Sequence, residues 1–219
     1  MSAREEILKS IRTRLGRGPL QSAVRRELER SMENTRPDLL PAKAQEANKV
    51  GAFVERASKE AVTVDRLAVL ENVPAAVFHY LRAHGLPRRI VSAPDPVLEG
   101  LPWKETEGLE LSGGPLSEDG QAVLTRCFAG VAEGGVTVTV SSQQHPVEFN
   151  FLAATQIVIL EAGQLLGAYD EIWARLRQAG TLPRAVNMLL GPSRSADIEQ
   201  TLELGAHGPL RLHVLLIGG

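Results

Sequence analysis

Glycine, proline, two serines, a cation and an acid crowd into Gly191-Pro192-Ser193-Arg194-Ser195-Ala196-Asp197-Ile198-Glu199, just after the apolar run 185–190. The pattern predicts a strand whose carboxyl end feeds a helix over 195–204. The free N–H groups of a first helical turn and the helix dipole favour an anion. In open α/β sheets ligands also gather at such edges. Ser193 and Ser195 are placed to cap the helix or to donate to a phosphate or carboxylate, and Arg194 to clamp the same group bidentately. Gly191 leads the chain in, while Asp197 and Glu199 already bring negative charge to the first turns. The competing reading is plain capping, worth about 1 kcal/mol for the serine and about 0.3–1 kcal/mol for Asp197 against the dipole. The strict capping box is absent, because Ile198 stands where Glu or Gln would be needed. Spacing leaves both readings open.

Two further segments carry candidate chemistry. In Gly205-Ala206-His207-Gly208-Pro209, His207 is suited either to titrate near neutrality and orient a ligand, or to bond a neighbouring group within a turn. Gly208 beside it lets a ligand approach the backbone. Glu133-Gly134-Gly135 precedes a clear strand, and a carboxylate next to glycines at 134 and 135 can come close to a substrate. The bland alternative is a loop acid with turn glycines. Sharper motifs are missing: there is no P-loop and no Gly-x-Gly-x-x-Gly fingerprint. A nucleophile elbow is also lacking. Ser193, Asp197 and His207 lie within fifteen positions, too common a grouping to mark a triad.

The elements that must hold these residues alternate. Short β-branched or apolar runs at 61–64, 89–92, 109–111, 136–140, 156–160, 185–190 and 212–217 read as strands. Helical stripes lie between several of them, such as Val77, Phe78 and Leu81, and Leu165, Leu166, Tyr169, Ile172, Trp173 and Leu176. Strands alternating with helices predict an α/β fold, a largely parallel sheet with helices on both faces. Before residue 59 the pattern is helical, through Ile7, Leu8, Ile11 and Leu15, then 21–32 and 43–58. The expected division is therefore a helical appendage over 1–58 and an α/β domain over 59–219.

Composition sets outer limits. The chain has 219 residues, 43% hydrophobic and 23% charged, with a net charge of −2 that argues against nucleic acid as main partner. Residues 1–36 carry a net +4 and the rest −6, so the first segment could serve an acidic partner or be a solvated helical face. A single cysteine, Cys127, cannot build an iron–sulfur cluster or a thiolate zinc site, and fits a reducing cytoplasm. It reads most simply as a small buried hydrophobe. No apolar run reaches membrane-spanning length, so no membrane role is expected.

The blocks at 191–199, 205–209 and 212–217 (Leu-His-Val-Leu-Leu-Ile) together resemble the carboxyl-terminal signature of the LUD-domain family. The opening Arg4-Glu5-Glu6-Ile7-Leu8 through Leu15-Gly16 and the stretch Ala129 to Gly135 are similar to it too. The nearest group is the lactate utilization protein C type. Two family threonines are Gly134 and Val136 here, and the family's Leu-Ser-Leu-x-Pro appears as 148–152 without the proline.

The resemblance implies a sheet of the glucosamine-phosphate isomerase, ribose-phosphate isomerase and CoA-transferase type. It also implies a role in oxidising L-lactate to pyruvate beside iron–sulfur partner proteins. This chain would bind no cofactor itself and would act as a subunit, accessory factor or small-anion binder. The candidate site comprises Gly191, Ser193, Arg194, Ser195, Asp197, Gly135 and Gly208, with Glu133 and His207 as candidate catalytic groups. The alternative is a stand-alone isomerase or acyl-CoA transferase acting on phosphorylated or CoA-linked substrates, with Glu133 as base or nucleophile.

Overall fold

The computed structural model describes residues 2–33, 40–116, 121–180, 182–196, 202–205 and 207–219. It divides into two compact units, Met1–Leu40 and Pro41–Gly219. The first holds α1 (Ala3–Arg14) and α2 (Ser22–Glu33). A capping box starts α1: Glu5 N donates to Ser2 Oγ at 3.3 Å and Ser2 N donates to Glu5 Oε2 at 2.7 Å. The stripe Ile7, Ile11 and Leu15 remains exposed, as do Val24, Leu28 and Met32 of α2.

The second unit contains α3 (Lys49–Lys59), β1 (Thr63–Leu67), α4 (Val73–Ala83), β2 (Arg89–Ser92), the short α5 (Pro96–Glu99), β3 (Glu110–Ser112), β4 (Ala122–Arg126), β5 (Ala129–Val131) and β6 (Val136–Val140). It continues with β7 (Thr155–Glu161), β8 (Leu165–Leu166), α6 (Asp170–Gln178), β9 (Val186–Leu189), β10 (Arg194–Ala196), β11 (Leu202–Leu204) and β12 (Arg211–Ile217). Six of these strands pair in the order β1-β12-β7-β4-β2-β3, every pairing parallel. The fold is α/β.

Alternation along the central strands explains the layers. Ile157, Ile159, Leu215 and Ile217 point to the face covered by Val73, Val77 and Leu81 of α4. Val158, Leu160, Val214 and Leu216 point to the opposite face, which Ala52, Phe53 and Ala57 of α3 cover. Strands buried on both sides read as continuous apolar runs, as these do. The helix α3 therefore belongs to the sheet, and the compact units divide at 40/41 rather than at 58/59. The 43–58 stripe looked like more appendage because a helical pattern does not say which surface it covers. No helix among the described residues is long and apolar enough to cross a membrane.

Two elements depart from the pattern reading. The strands at 136–140 and 186–189 are not in the parallel sheet; they pair with each other antiparallel within a second sheet, β8-β5-β6-β9. Ile172 and Leu176 of α6 pack on it with Val131, Val136 and Val138. The helix expected over 195–204 is also absent where the chain is described: β10 and β11 form an antiparallel pair, Arg194 opposite Leu204 and Ala196 opposite Leu202. The reason is closure. Gly205 N donates to Ser193 O at 3.0 Å, so the ends of the segment meet. A ten-residue helix would hold them roughly 15 Å apart. Asp197, Ile198 and Glu199 lie outside the described residues.

Candidate functional site

Without a helix at 195, neither a first-turn cluster of free N–H groups nor a helix dipole stands behind the Gly-Pro-Ser-Arg segment. What the tertiary structure offers instead is a cavity. Leu190 to Arg194 and His207 to Pro209 line a space of about 400 Å³ together with Glu60, Asn150, Phe151, Met188 and Leu189. Thus Gly191, Ser193, Arg194, His207 and Gly208 do come together, and Arg194 and His207 are solvent-exposed. The cavity sits where the chain enters β1, β7 and β12, at the amino ends of parallel strands rather than at a carboxyl edge.

Ser193 is the clasp between the two loops. Its N–H donates to Pro209 O at 2.8 Å, and its hydroxyl oxygen accepts from His207 N at 3.2 Å. These bonds commit the Ser193 N–H and one lone pair of its hydroxyl to loop closure, and leave the hydroxyl proton to donate. Gly191 serves close packing there: a Cβ on it would lie 2.5 Å from Glu60 O, whereas one on Gly208 would make only ordinary contact with Ser193 Cβ at 3.5 Å. Asn150, fully buried, donates to Thr139 Oγ1 at 3.0 Å and accepts from Gln156 Nε2 at 2.9 Å, which fixes the wall behind the cavity. Ser195 stands opposite Glu203 in the hairpin.

Glu133 lies elsewhere. It lines a neighbouring cavity with Lys43, Arg56, Gly134 and Tyr169, and the two cavities share Glu60 and Leu190 as walls. Glu133 and His207 therefore do not face each other across one space. The carboxylate accepts a long bond from Tyr169 N at 3.4 Å, and burial, with Glu133 adding to it, pushes the Tyr169 phenol pKa up. Arg56 organises this corner: its guanidinium donates to Ala132 O at 2.6 Å and pairs with Glu46. At Gly134 a Cβ would lie 2.0 Å from the Tyr169 hydroxyl, so Tyr169 fills the space a larger side chain would take.

Gly135 is structural. Its φ of +68° lies in the left-handed region, and a Cβ there would meet the Ala57 backbone nitrogen at 2.3 Å. Gly135→Ala is expected to lower the unfolding free energy by at least about 1–2 kcal/mol. Urea denaturation would check this, and an unchanged midpoint would refute the tight turn-to-helix contact.

The comparisons with known proteins bear on the same region. Residues 116–217 match the LUD domain model, which spans both loops of the cavity and the strands beneath them. Over that stretch the chain is similar to the LUD domain. Along nearly its whole length it is similar to lactate utilization protein C of Halalkalibacterium halodurans, 26% identical over 98% of this chain and 97% of that one. The Bacillus subtilis protein of the same name is 33% identical over 91 residues, 40% of this chain and 38% of that one. A solved DUF162 family protein from Deinococcus radiodurans has the same fold. Its TM-score is 0.57 at 21% identity, and the match covers 81% of this chain and 100% of that chain.

Asn150 and Phe151 fall in the 148–152 stretch already noted for its departure from the family pattern, whereas Glu60 escaped the motif reading, since it merely caps α3 ahead of β1. The usable signal was positional: segments entering adjacent parallel strands must meet.

Proposed function

We propose that the protein serves in lactate utilization as a component without a cluster of its own, working beside iron–sulfur proteins, and that the cavity at 191–194 and 207–209 holds a small 2-hydroxy or 2-oxo carboxylate. What carries this reading is the convergence of the two signature loops on one cavity, in a chain similar end to end to a lactate utilization protein C. The chemistry of the lining suits such a ligand. Arg194 supplies a guanidinium for the carboxylate, and the Glu60 carboxylate an acceptor for a hydroxyl. Phe151 and Leu189 supply apolar wall for a methyl group. With Cys127 as its one cysteine, the chain must leave electron transfer to partners.

Calorimetric titration with L-lactate and pyruvate tests the site. Arg194→Ala is expected to weaken binding about tenfold, the low end of a charged hydrogen bond. Equal affinity in variant and parent would remove the guanidinium from the site. Turnover by the isolated chain, lost in Glu133→Gln, would replace this reading with a stand-alone enzyme.

A further inference from the structure

The strand order contains a reversal. From β2 the chain goes outward to β3, then returns past β2 to β4 and continues to β7 and β12 in the opposite direction. The carboxyl ends of β2 and β4 therefore flank a topological switch point, the place where open parallel sheets leave a crevice. A cavity of about 230 Å³ lies there, lined by Asp95 after β2, by Arg126 to Phe128 after β4, by Ser142, Gln144 and His145 after β6, and by Arg175 of α6.

Its charges are arranged for an anion. Arg126 is held on two sides, Nη1 at 3.3 Å from Asp95 Oδ2 and Nη2 at 2.8 Å from Glu161 Oε1, so its own charge is answered. Arg175 is different. Its guanidinium carbon lies 5.1 Å from the Phe128 ring centroid, and Nη1 donates to Gln164 O at 3.4 Å, yet it pairs with no carboxylate among the described residues. Stacking on a ring fixes the plane of a guanidinium while leaving most of its five donors free. Beside Cys127 and Val140, the lining offers hydrogen-bonding groups: the Ser142 hydroxyl, the Gln144 and Gln164 amides, and the His145 ring, which is 8% exposed. Burial holds His145 below the usual imidazole pKa, so it stays neutral at pH 7. With Asp95 and Glu161 both against Arg126, the local charge is balanced overall, and Arg175 is the guanidinium at the cavity that lacks a carboxylate partner among the described residues.

We propose that this switch-point cavity is a second binding site, for a small oxyanion such as a monocarboxylate or inorganic phosphate, with Arg175 as its principal donor and Ser142 and Gln144 completing the shell. A cavity of about 230 Å³ readily accommodates a monocarboxylate or a phosphate ion. The site shares no lining residue with the cavity at 191–194 and 207–209, and the two touch through His145 Nε2, 3.5 Å from Asn150 Oδ1 in the wall of the other.

The His145 ring resonances report on the cavity by NMR. Titrating the full chain with L-lactate in one series and inorganic phosphate in another is expected to shift them saturably with at least one probe, and the active probe identifies the anion class. Arg175→Gln is expected to weaken that response at least tenfold, and Arg175→Lys to restore part of it. Ser142→Ala, which leaves the Phe128 stack untouched, should weaken it severalfold. Arg194→Ala should leave it unchanged while reducing calorimetric binding at the other cavity. No saturable shift with either probe, or a shift indifferent to both Arg175→Gln and Ser142→Ala, would overturn the proposal. Loss of the shift in Arg194→Ala would overturn it too, by assigning the response to the other site.

Discussion

Phe53→Ala is expected to cost about 3–5 kcal/mol of stability, the range for emptying a fully buried aromatic site. Phe53 lies on α3, is 0% exposed, and packs with Val158, Leu160, Val214 and Leu216 on the face of the parallel sheet away from α4. Few substitutions in this chain should do more, because the cavity would open at the joint between α3 and the two central strands. Urea unfolding followed by far-ultraviolet circular dichroism measures it. A loss below about 1 kcal/mol would mean that α3 covers nothing essential and would return it to a peripheral appendage. Ile11→Ala in α1, whose side chain is 48% exposed, is the natural control and should leave the midpoint almost unchanged.

Acidification should produce the second large effect, through His213. The ring sits on β12 at 1% exposure, 2.8 Å from Thr63 Oγ1 through Nδ1 and stacked on Tyr80 at 4.0 Å between centroids. Asp65 lies 3.6 Å from Nε2 and favours the charged form, but it is more than half exposed and screened by water. Burial wins and pushes the His213 pKa down to about 4, so the ring is neutral at pH 7. The unfolded chain titrates near the ordinary histidine value of about 6.5. Between those values the unfolded state holds a proton that the folded state lacks. Stability is therefore complete above pH 6.5 and falls as the pH drops towards 4, by about 3 kcal/mol in all. Urea midpoints measured from pH 7.5 to 4.5 should show this loss, and His213→Phe, which keeps an aromatic ring against Tyr80, should flatten most of it. His145 is depressed in the same direction by burial and adds to the residual slope. Equal slopes in parent and variant would show that His213 is not the group responsible.

The same two residues mark the line between local and non-local information. That β7 and β12 are strands was legible, because a short continuous run of β-branched and apolar residues suits a strand buried on both faces. The α6 stripe through Ile172 and Leu176 was legible by its helical period. The loops at 191–194 and 205–209 stood out through the types of their residues, and the structure brings Gly191, Ser193, Arg194, His207 and Gly208 of the candidate residues to one cavity. Which strands would share a sheet was not: 136–140 and 186–189 have the same texture as the parallel strands, and only pairing with each other set them apart.

The strand character of 194–196 and 202–204 was decided at long range as well. Ser, Arg, Ala and Leu suit a helix or a hairpin nearly equally, so local preference left the outcome to the tie between Ser193 and Gly205. A helix keeps its ends apart and a hairpin brings them together, so one backbone hydrogen bond across the segment selects the second. Likewise Arg126 and Arg175 are distant in sequence and ordinary in type; the reversal of strand order puts them around one crevice. Periodicity and residue chemistry are properties of a few neighbouring positions and were written in the chain itself. Partnership between segments depends on which surfaces are free to be buried, and the folded structure alone decides that.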